Sequence, residues 1–231
     1  MATITLFTPG CCNSHWPCFK PCSGEWAHAN ISKQAGHWLV SLDRIAFLRF
    51  DESQDSRAIT GQCHLVDQLV ANGNEVTVID NLAVGRRSNL ETALASGQVE
   101  LHEADVSDFD AIAPLFEGAP TVFHLAGLAD IIPSVEHPLD YHRANVDGTA
   151  SVMQAAKLGG TSAVVYAASS SCYGIPDQYP TPESAAIQPQ YPYALTKNLG
   201  EQIVLHWGEV YGIDVVALRL FNVYGPRART S

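Results

Sequence analysis

The run Val76-Thr77-Val78-Ile79-Asp80 is the stretch that decides the fold of this chain. It is a short β-branched segment that follows a helical pattern stopped by Asn72-Gly73, and it ends in a carboxylate. Further runs of this kind recur downstream with helical segments between them; they cover 99–102, 121–125, 163–167 and 215–219. Short apolar strands that alternate with helices indicate parallel βαβ units, so we predict an α/β fold.

One more strand is needed upstream of this run, and we place its end at Ala58-Ile59-Thr60-Gly61. A helix follows with Leu65, Val66 and Leu69 on one face. Two long helices are predicted from about 138 to 158 and from about 192 to 211. Six strands with right-handed crossovers predict a Rossmann-like doubly wound parallel sheet in the order 3-2-1-4-5-6, with helices on both faces.

The composition narrows the class of protein. The 231 residues are 46% hydrophobic and 16% charged, which is typical of a globular domain. No apolar run approaches the ~18 residues that span a bilayer, and the amino terminus lacks a signal-peptide pattern, so we expect a cytoplasmic protein with no membrane partner. The formal net charge of −11 argues against nucleic acid as a partner.

The first part of the chain differs from the rest. Residues 1–56 contain four of the six cysteines and three of the four tryptophans, and they show no sustained periodicity before an apolar cluster that starts at Trp38. The cysteine spacing fits no zinc template well, so we predict no metal site. We therefore divide the chain into a poorly ordered leader, 1–56, that packs little against the sheet, and a nucleotide-binding domain, 57–231.

Asp80 closes a predicted strand at the edge where such sheets bind nucleotides. A carboxylate there can accept hydrogen bonds from both hydroxyls of an adenine ribose, which favours NAD over NADP. Arg86 and Arg87 argue the opposite, but we give Asp80 more weight because its place at the strand tip is fixed. A solvated strand-end carboxylate is the alternative interpretation.

The segment Tyr193-Ala194-Leu195-Thr196-Lys197 carries the clearest chemical signal. Positions i and i+4 share a helix face, so the Lys197 ammonium can lie near the Tyr193 phenol and lower its pKa toward neutrality. The tyrosine could then act as a base. Ser169, at the end of the fifth predicted strand, is placed to hydrogen-bond the same substrate oxygen. The alternative for the pair alone is a surface tyrosine beside a lysine stem.

From Arg57 onward the sequence resembles the extended short-chain dehydrogenase/reductase family, and most of all its NAD-dependent 4-epimerases of the UDP-glucose and UDP-N-acetylglucosamine kind. Seven segments in order carry the resemblance: 78–81, 104–106, 123–127, 145–149, 169–174, 193–197 and 218–227.

This resemblance implies a role for each matching residue. The residues it assigns to the cofactor NAD are Gly61, Asp80, Asn81, Asp105, Val106, Leu125, Ala126, Gly127, Asn145, Tyr193, Lys197 and Phe221. The residues it assigns to a nucleotide-sugar substrate are Ser169, Ser170, Tyr193 and Asn222, and the catalytic group is Ser169, Tyr193 and Lys197. It also implies a homodimer.

Three of these assignments have plain structural alternatives. Asp105 could start a turn ahead of a helix cap at Asp108. Asn145 could be a buried helix residue bonded to neighbouring backbone, and Phe221 could belong to the core.

The sequence departs from the family pattern in two places. The family's first turn reads Thr-Gly-Gly-x-Gly-Phe-Ile-Gly, whereas Thr60-Gly61 here runs directly into Gln62-Cys63-His64. Since those glycines let backbone N–H groups approach the pyrophosphate, we predict a damaged phosphate cradle. The family also continues past the position of Ser231, so we expect a rearranged and truncated chain with most of the substrate domain missing.

The residues after Ser169 favour one reaction type within the family. Family members that eliminate water place an Asp-Glu pair there as acid and base, but this chain has Ser170 and Ser171. Hydride abstraction and return at the sugar C4 is the chemistry that remains, which predicts a 4-epimerase. Another dehydratase or reductase of the same family, and a remnant without catalytic activity, stay open as alternatives.

Overall fold

The computed structural model describes residues 6–7, 44–49, 60–83 and 85–223. In this part of the chain seven strands form one sheet in the order β1-β7-β6-β5-β2-β3-β4. The strands are β1 (Leu6–Phe7), β2 (Arg44–Arg49), β3 (Glu75–Asp80), β4 (Val99–His102), β5 (Thr121–His124), β6 (Ala163–Ser169) and β7 (Asp214–Leu220).

Strands β2 to β7 are parallel, and β1 pairs antiparallel with β7 at the sheet edge. Counted along the chain, the six parallel strands lie in the order 3-2-1-4-5-6, which confirms the predicted doubly wound sheet. The central strand β2 pairs with β3 on one side and with β5 on the other. The chain therefore reverses its winding at β2 and β5, where such sheets bind ligands beyond their carboxyl ends.

The first strand is not where the sequence placed it. The predicted strand end at 58–61 is wrong, because Thr60 and Gly61 begin a helix, and the strand is Arg44–Arg49 instead. Its four apolar residues suit a central parallel strand, whereas Gly61 leads directly into a helical apolar period. The expectation that residues 1–56 pack little against the sheet is wrong for β1 and β2. The cysteine cluster of this segment lies outside the described residues.

Seven α-helices connect or cover the strands in the described residues. They are α1 (Thr60–Ala71), α2 (Glu91–Leu94), α3 (Phe109–Ile112), α4 (Ile131–Glu136), α5 (Pro138–His142), α6 (Gly148–Gly159) and α7 (Pro192–Tyr211). A π-helical segment, Arg143–Asp147, joins α5 to α6 without a break. The long helix predicted from about 138 is therefore confirmed, as is α7. None of the described helices is long and apolar enough to cross a membrane.

Both faces of the sheet are covered, as the alternation within β3 shows. Val76 and Val78 pack with α1 residues such as Val66 in one apolar cluster. Ile79, which points to the opposite face, belongs to a larger cluster that includes Tyr166 of β6. Because successive side chains of a strand point to opposite faces, these two clusters lie on the two sides of the sheet.

Candidate functional site

Tyr193 and Ser169 meet at the carboxyl end of the sheet. Ser169 is the last residue of β6, and Tyr193 lies in the first turn of α7. The Tyr193 hydroxyl donates a hydrogen bond to Ser169 Oγ over 3.2 Å. The structure thus brings together two members of the predicted catalytic group.

Lys197 lies one turn further along α7 and is buried, with 6% of its surface exposed. Its Nζ atom is 4.4 Å from the centroid of the Tyr166 ring, a distance at which the ring face attracts the ammonium. The Tyr166 ring therefore stabilises the Lys197 ammonium by a cation–π contact, a role that the sequence alone did not indicate.

His124 and Thr149 form a buried polar layer next to Tyr166. Thr149 Oγ1 donates to the Asn145 carbonyl over 2.7 Å, so it must accept from His124 Nε2 at 2.9 Å. Burial, together with the charge of Lys197, holds the pKa of His124 well below its ordinary value. His124 is therefore neutral and carries its hydrogen on Nε2. Burial also favours the neutral form of Tyr166, and for a phenol this raises the pKa, so Tyr166 stays protonated.

Asn145, in the π-helical segment, holds the loop that follows β5 by hydrogen bonds. Its Oδ1 accepts from the Leu128 N–H at 2.7 Å, and its Nδ2 donates to the Leu128 carbonyl and to Thr196 Oγ1, both at 3.0 Å. The structure thus agrees with the alternative of a buried amide bonded to backbone, although the backbone belongs to a distant loop that the resemblance assigns to NAD.

Gly127 occupies a place where no side chain fits. A Cβ atom on Gly127 would lie 2.7 Å from Asn145 Oδ1 and 3.4 Å from Lys197 Nζ. The loop can therefore approach the Asn145 side chain and the Lys197 ammonium only because residue 127 is a glycine. Of its neighbours, Ala126 is buried and Leu125 is half-buried.

Asp80 lies at the carboxyl end of β3 and is 1% exposed. Its Oδ1 accepts from the Leu82 N–H at 2.9 Å, and a Cβ on Gly85 would lie 2.5 Å from its Oδ2. The next residue, Asn81, accepts from the Ala83 N–H at 3.1 Å. These short turns fix both side chains at the tip of the strand.

Asp105 forms a local turn, as its structural alternative proposed. Its Oδ1 accepts from the N–H and the hydroxyl of Ser107, at 2.8 and 2.7 Å, ahead of the α3 cap at Asp108. Val106 is fully buried next to Gly148, where a Cβ would be 2.9 Å from Val106 Cγ2.

The remaining predicted residues are less enclosed. Phe221 is 44% exposed, so the alternative that it belongs to the core is wrong. Asn222 is exposed just after β7, and Ser170 is half-buried just after β6. Gly61 lies in the first turn of α1, within a helix rather than at a strand end.

A buried ion pair supports the site from behind, and the sequence analysis missed it. Arg219 of β7 donates to both carboxylate oxygens of Glu201 of α7, with a shortest distance of 2.7 Å, and its Nη1 donates to the Tyr173 hydroxyl at 2.9 Å. Although burial acts to lower the pKa of Arg219, these hydrogen bonds raise it overall. Burial raises the pKa of the adjacent Cys172 thiol to about 11, which makes it unreactive near neutral pH. An arginine in an apolar strand was the available signal, since a buried charge needs a partner.

Comparison with known proteins gives a consistent result. The profile of the NAD dependent epimerase/dehydratase family matches residues 60–231. The chain is 39% identical over 165 residues to the UDP-glucose 4-epimerase of Mycolicibacterium smegmatis, covering 71% of this chain and 53% of that protein. It therefore spans about half the length of the curated relatives it matches.

Solved structures of the same class superpose on the described fold. A UDP-N-acetylglucosamine 4-epimerase from Methanobrevibacter ruminantium matches with a TM-score of 0.70 and 34% identity, over 80% of this chain and 56% of the other. A UDP-glucose 4-epimerase from Thermus thermophilus, solved in complex with NAD, matches with a TM-score of 0.69 and 30% identity, over 80% of this chain and 57% of the other. With its sheet order, its Ser169–Tyr193 contact and the profile match over most of its length, this chain belongs to the NAD-dependent epimerase/dehydratase family.

Proposed function

We propose that this chain carries out 4-epimerase chemistry on a nucleotide sugar with NAD as its cofactor. The hydrogen bond between the Tyr193 phenol and Ser169 Oγ carries this proposal, because it places a base and a second hydroxyl at one point. The buried Lys197 lies one turn further along the same face of α7. The names of the relatives support the substrate class, since they include UDP-glucose and UDP-N-acetylglucosamine 4-epimerases.

The residues present fit the two ends of NAD. Asp80, held at the tip of β3, suits the hydroxyls of an adenine ribose. The loop through Gly127 packs closely against Asn145 and Lys197, and we assign the nicotinamide ribose to this edge of the sheet. We assign the other residues that the sequence resemblance gave to NAD to this cofactor as well.

The pyrophosphate side is less favourable. The connection from β2 to α1, residues 50–59, contains no glycine and carries Asp51, Glu52 and Asp55. A sequence without glycine is a poorer source of closely approaching backbone N–H donors for a pyrophosphate than a glycine-rich turn. We expect NAD to bind more weakly here than at a glycine-rich turn.

The chain's own residues have distinct tasks in the proposed reaction. Tyr193, as the phenolate that Lys197 favours, takes the proton of the sugar 4-hydroxyl, while the Ser169 hydroxyl bonds to the same oxygen. NAD, when bound, would supply the hydride acceptor for C4 and, once the 4-keto sugar has turned over, the hydride donor for its opposite face. Tyr193 then gives its proton back to the oxygen. Asn222 and Ser170 are assigned to the substrate.

The reaction type follows from residues 170 and 171. Elimination of water from the sugar needs an acid and a base next to the substrate, and these positions carry hydroxyls in place of carboxylates. An epimerase needs no acid or base at these two positions, because oxidation and reduction occur at the same carbon and Tyr193 alone exchanges the proton. This favours the 4-epimerase over a dehydratase.

The test is the first half of the reaction. The chain is mixed with NAD and UDP-glucose, and NADH is followed by its absorbance, so that one oxidation per site is visible even without product release. We expect slow NADH formation in the wild type and none in Tyr193→Phe, with both proteins assayed at an NAD concentration that saturates them. Equal NADH formation in both proteins would refute the role of Tyr193, and no NADH in either would refute the proposed function.

We also propose a homodimer through the outer side of α4, α5 and α7, which pack together. Large apolar side chains are exposed there, among them Leu139 at 81%, Val135 at 60% and Leu195 at 46%. Light scattering should give the mass of two chains for the wild type and of one chain for Leu139→Glu. A monomeric wild type would contradict this assembly. A cytoplasmic location stays a prediction from the sequence.

A further inference from the structure

We propose that Ser171 is a positioning residue that stabilises the base form of Tyr193 through the hydroxyl of Ser169, an inference that rests on the proposed function of Tyr193. No part of the family resemblance assigned a role to Ser171. It lies in the short turn after β6, Ser170–Tyr173, and is half-buried, whereas Ser169 is 8% exposed.

The direction of the hydrogen bonds around Ser169 follows from counting its donors and acceptors. Ser169 Oγ accepts from the Tyr193 hydroxyl and from the Ser171 N–H, each at 3.2 Å. A hydroxyl oxygen has two lone pairs and one hydrogen, so both of its acceptor positions are used. Its hydrogen therefore points to Ser171 Oγ, 2.7 Å away. In the resting state the chain of donors runs from Tyr193 to Ser169 to Ser171.

Ionisation of Tyr193 requires this chain to reverse. A phenolate oxygen can only accept, so the Ser169 hydroxyl must turn its hydrogen toward Tyr193. Ser169 Oγ then loses its bond to Ser171 Oγ unless Ser171 turns its own hydrogen back across the same 2.7 Å. The proton released by Tyr193 goes to water, and no O–H bond of either serine breaks. The phenolate thus gains one direct donor, which a second donor polarises.

The backbone keeps the two serines in register for this exchange. The Ser171 N–H bonds to Ser169 Oγ in the resting state, so the turn holds both hydroxyls at short distance without a conformational change. The titratable groups around Tyr193 are the Tyr141 ring at 6.4 Å, the stacked Tyr191 ring at 6.4 Å, Tyr166, and Lys197 one turn along the same face of α7. None of these is altered by substitution of Ser171.

The test is a spectrophotometric titration of tyrosinate in the intact chain, with neither NAD nor sugar present. The Tyr193 contribution is isolated as the difference from a Tyr193→Phe protein. Ser171→Val and Ser171→Thr form a matched pair, because the two side chains have the same shape and only threonine keeps the hydroxyl. Ser162→Ala, an exposed serine next to the other end of β6, is the control for a serine substitution.

We expect the midpoint of Tyr193 ionisation to rise by about half to one pH unit in Ser171→Val, which corresponds to one neutral hydrogen bond. Ser171→Thr and Ser162→Ala should titrate like the wild type. If Ser171→Val fails to fold, Ser171→Ala takes its place in the comparison with threonine. Equal midpoints for the valine or alanine variant and the threonine variant would overturn the proposal. Because no NAD or sugar is needed, this result is independent of whether NADH forms in the half-reaction.

Discussion

Replacing Asn145 by alanine should destabilise the fold strongly, because its amide joins the π-helical segment before α6 to the loop after β5 and to α7 through three hydrogen bonds. The side chain is fully buried and bonds to the backbone of Leu128 and to the hydroxyl of Thr196. Alanine leaves the Leu128 N–H without this acceptor, and it leaves the Leu128 carbonyl and Thr196 without this donor.

The magnitude follows from the groups left behind. A buried polar group that loses its partner costs about 1–3 kcal/mol, and three groups are affected, although Thr196 still donates to the Tyr193 carbonyl. We expect the free energy of unfolding to fall by about 3–5 kcal/mol, a large part of the ~5–15 kcal/mol typical of a domain. The melting temperature should fall by roughly 6–20 °C.

Urea unfolding followed by circular dichroism measures this change. The matched control is Asn72→Ala, an exposed asparagine, which should change the free energy of unfolding by less than about 0.5 kcal/mol. A loss below about 1 kcal/mol in Asn145→Ala, with an unchanged denaturant slope, would refute the view that this amide holds the loop after β5.

Three further predictions test other parts of the account. Asp80→Ala should reduce the preference of the chain for NADH over NADPH in fluorescence titrations, and equal affinity of the wild type for both would contradict the assignment of Asp80. Glu201→Leu alone should cost about 3–5 kcal/mol of stability by leaving Arg219 buried without its carboxylate, whereas adding Arg219→Met should recover most of that loss; additive losses in urea unfolding would speak against a coupled pair. Because the folded pKa of His124 is lowered, its contribution to stability is present above the unfolded value of about 6.5 and is lost as the pH falls below it, by roughly 1.4 kcal/mol per pH unit, and His124→Asn should show a shallower loss between pH 7 and pH 5.

Local patterns predicted the strands and helices from Val76 onward, because each buried run there is bounded by a turn signal and followed by a helical period. The first strand escaped this reasoning. Arg44–Arg49 carries an arginine at each end and lies in a segment of unusual composition, so only its pairing with β3 and β5 identifies it. Once the strand is placed there, the connection to α1 is residues 50–59 rather than the shortened turn expected at Gly61.

The site was predictable where one short segment held the signal. Tyr193 and Lys197 share a helix face, and Ser169 ends a strand, so the expected proximity of Tyr193 and Ser169 is confirmed at 3.2 Å. The supports of the site were not predictable in the same way. Arg219 and Glu201 pair across 18 positions of sequence, and the Ser171 contact depends on which way a hydroxyl points. Such contacts form only when distant elements pack together, so no periodic pattern in the local sequence indicates them.

Binding of NAD by the intact chain tests the central claim most directly. In isothermal titration calorimetry we predict saturable binding of NAD at one site per chain. Gly127→Val should abolish it, because its side chain would collide with Asn145 and press on Lys197, which displaces the loop after β5. The control variant Ser162→Ala, titrated in parallel, should give the same heat signal as the wild type. No saturable heat with the wild type at millimolar NAD, or equal binding by Gly127→Val, would contradict a cofactor site at the carboxyl ends of β5 and β6.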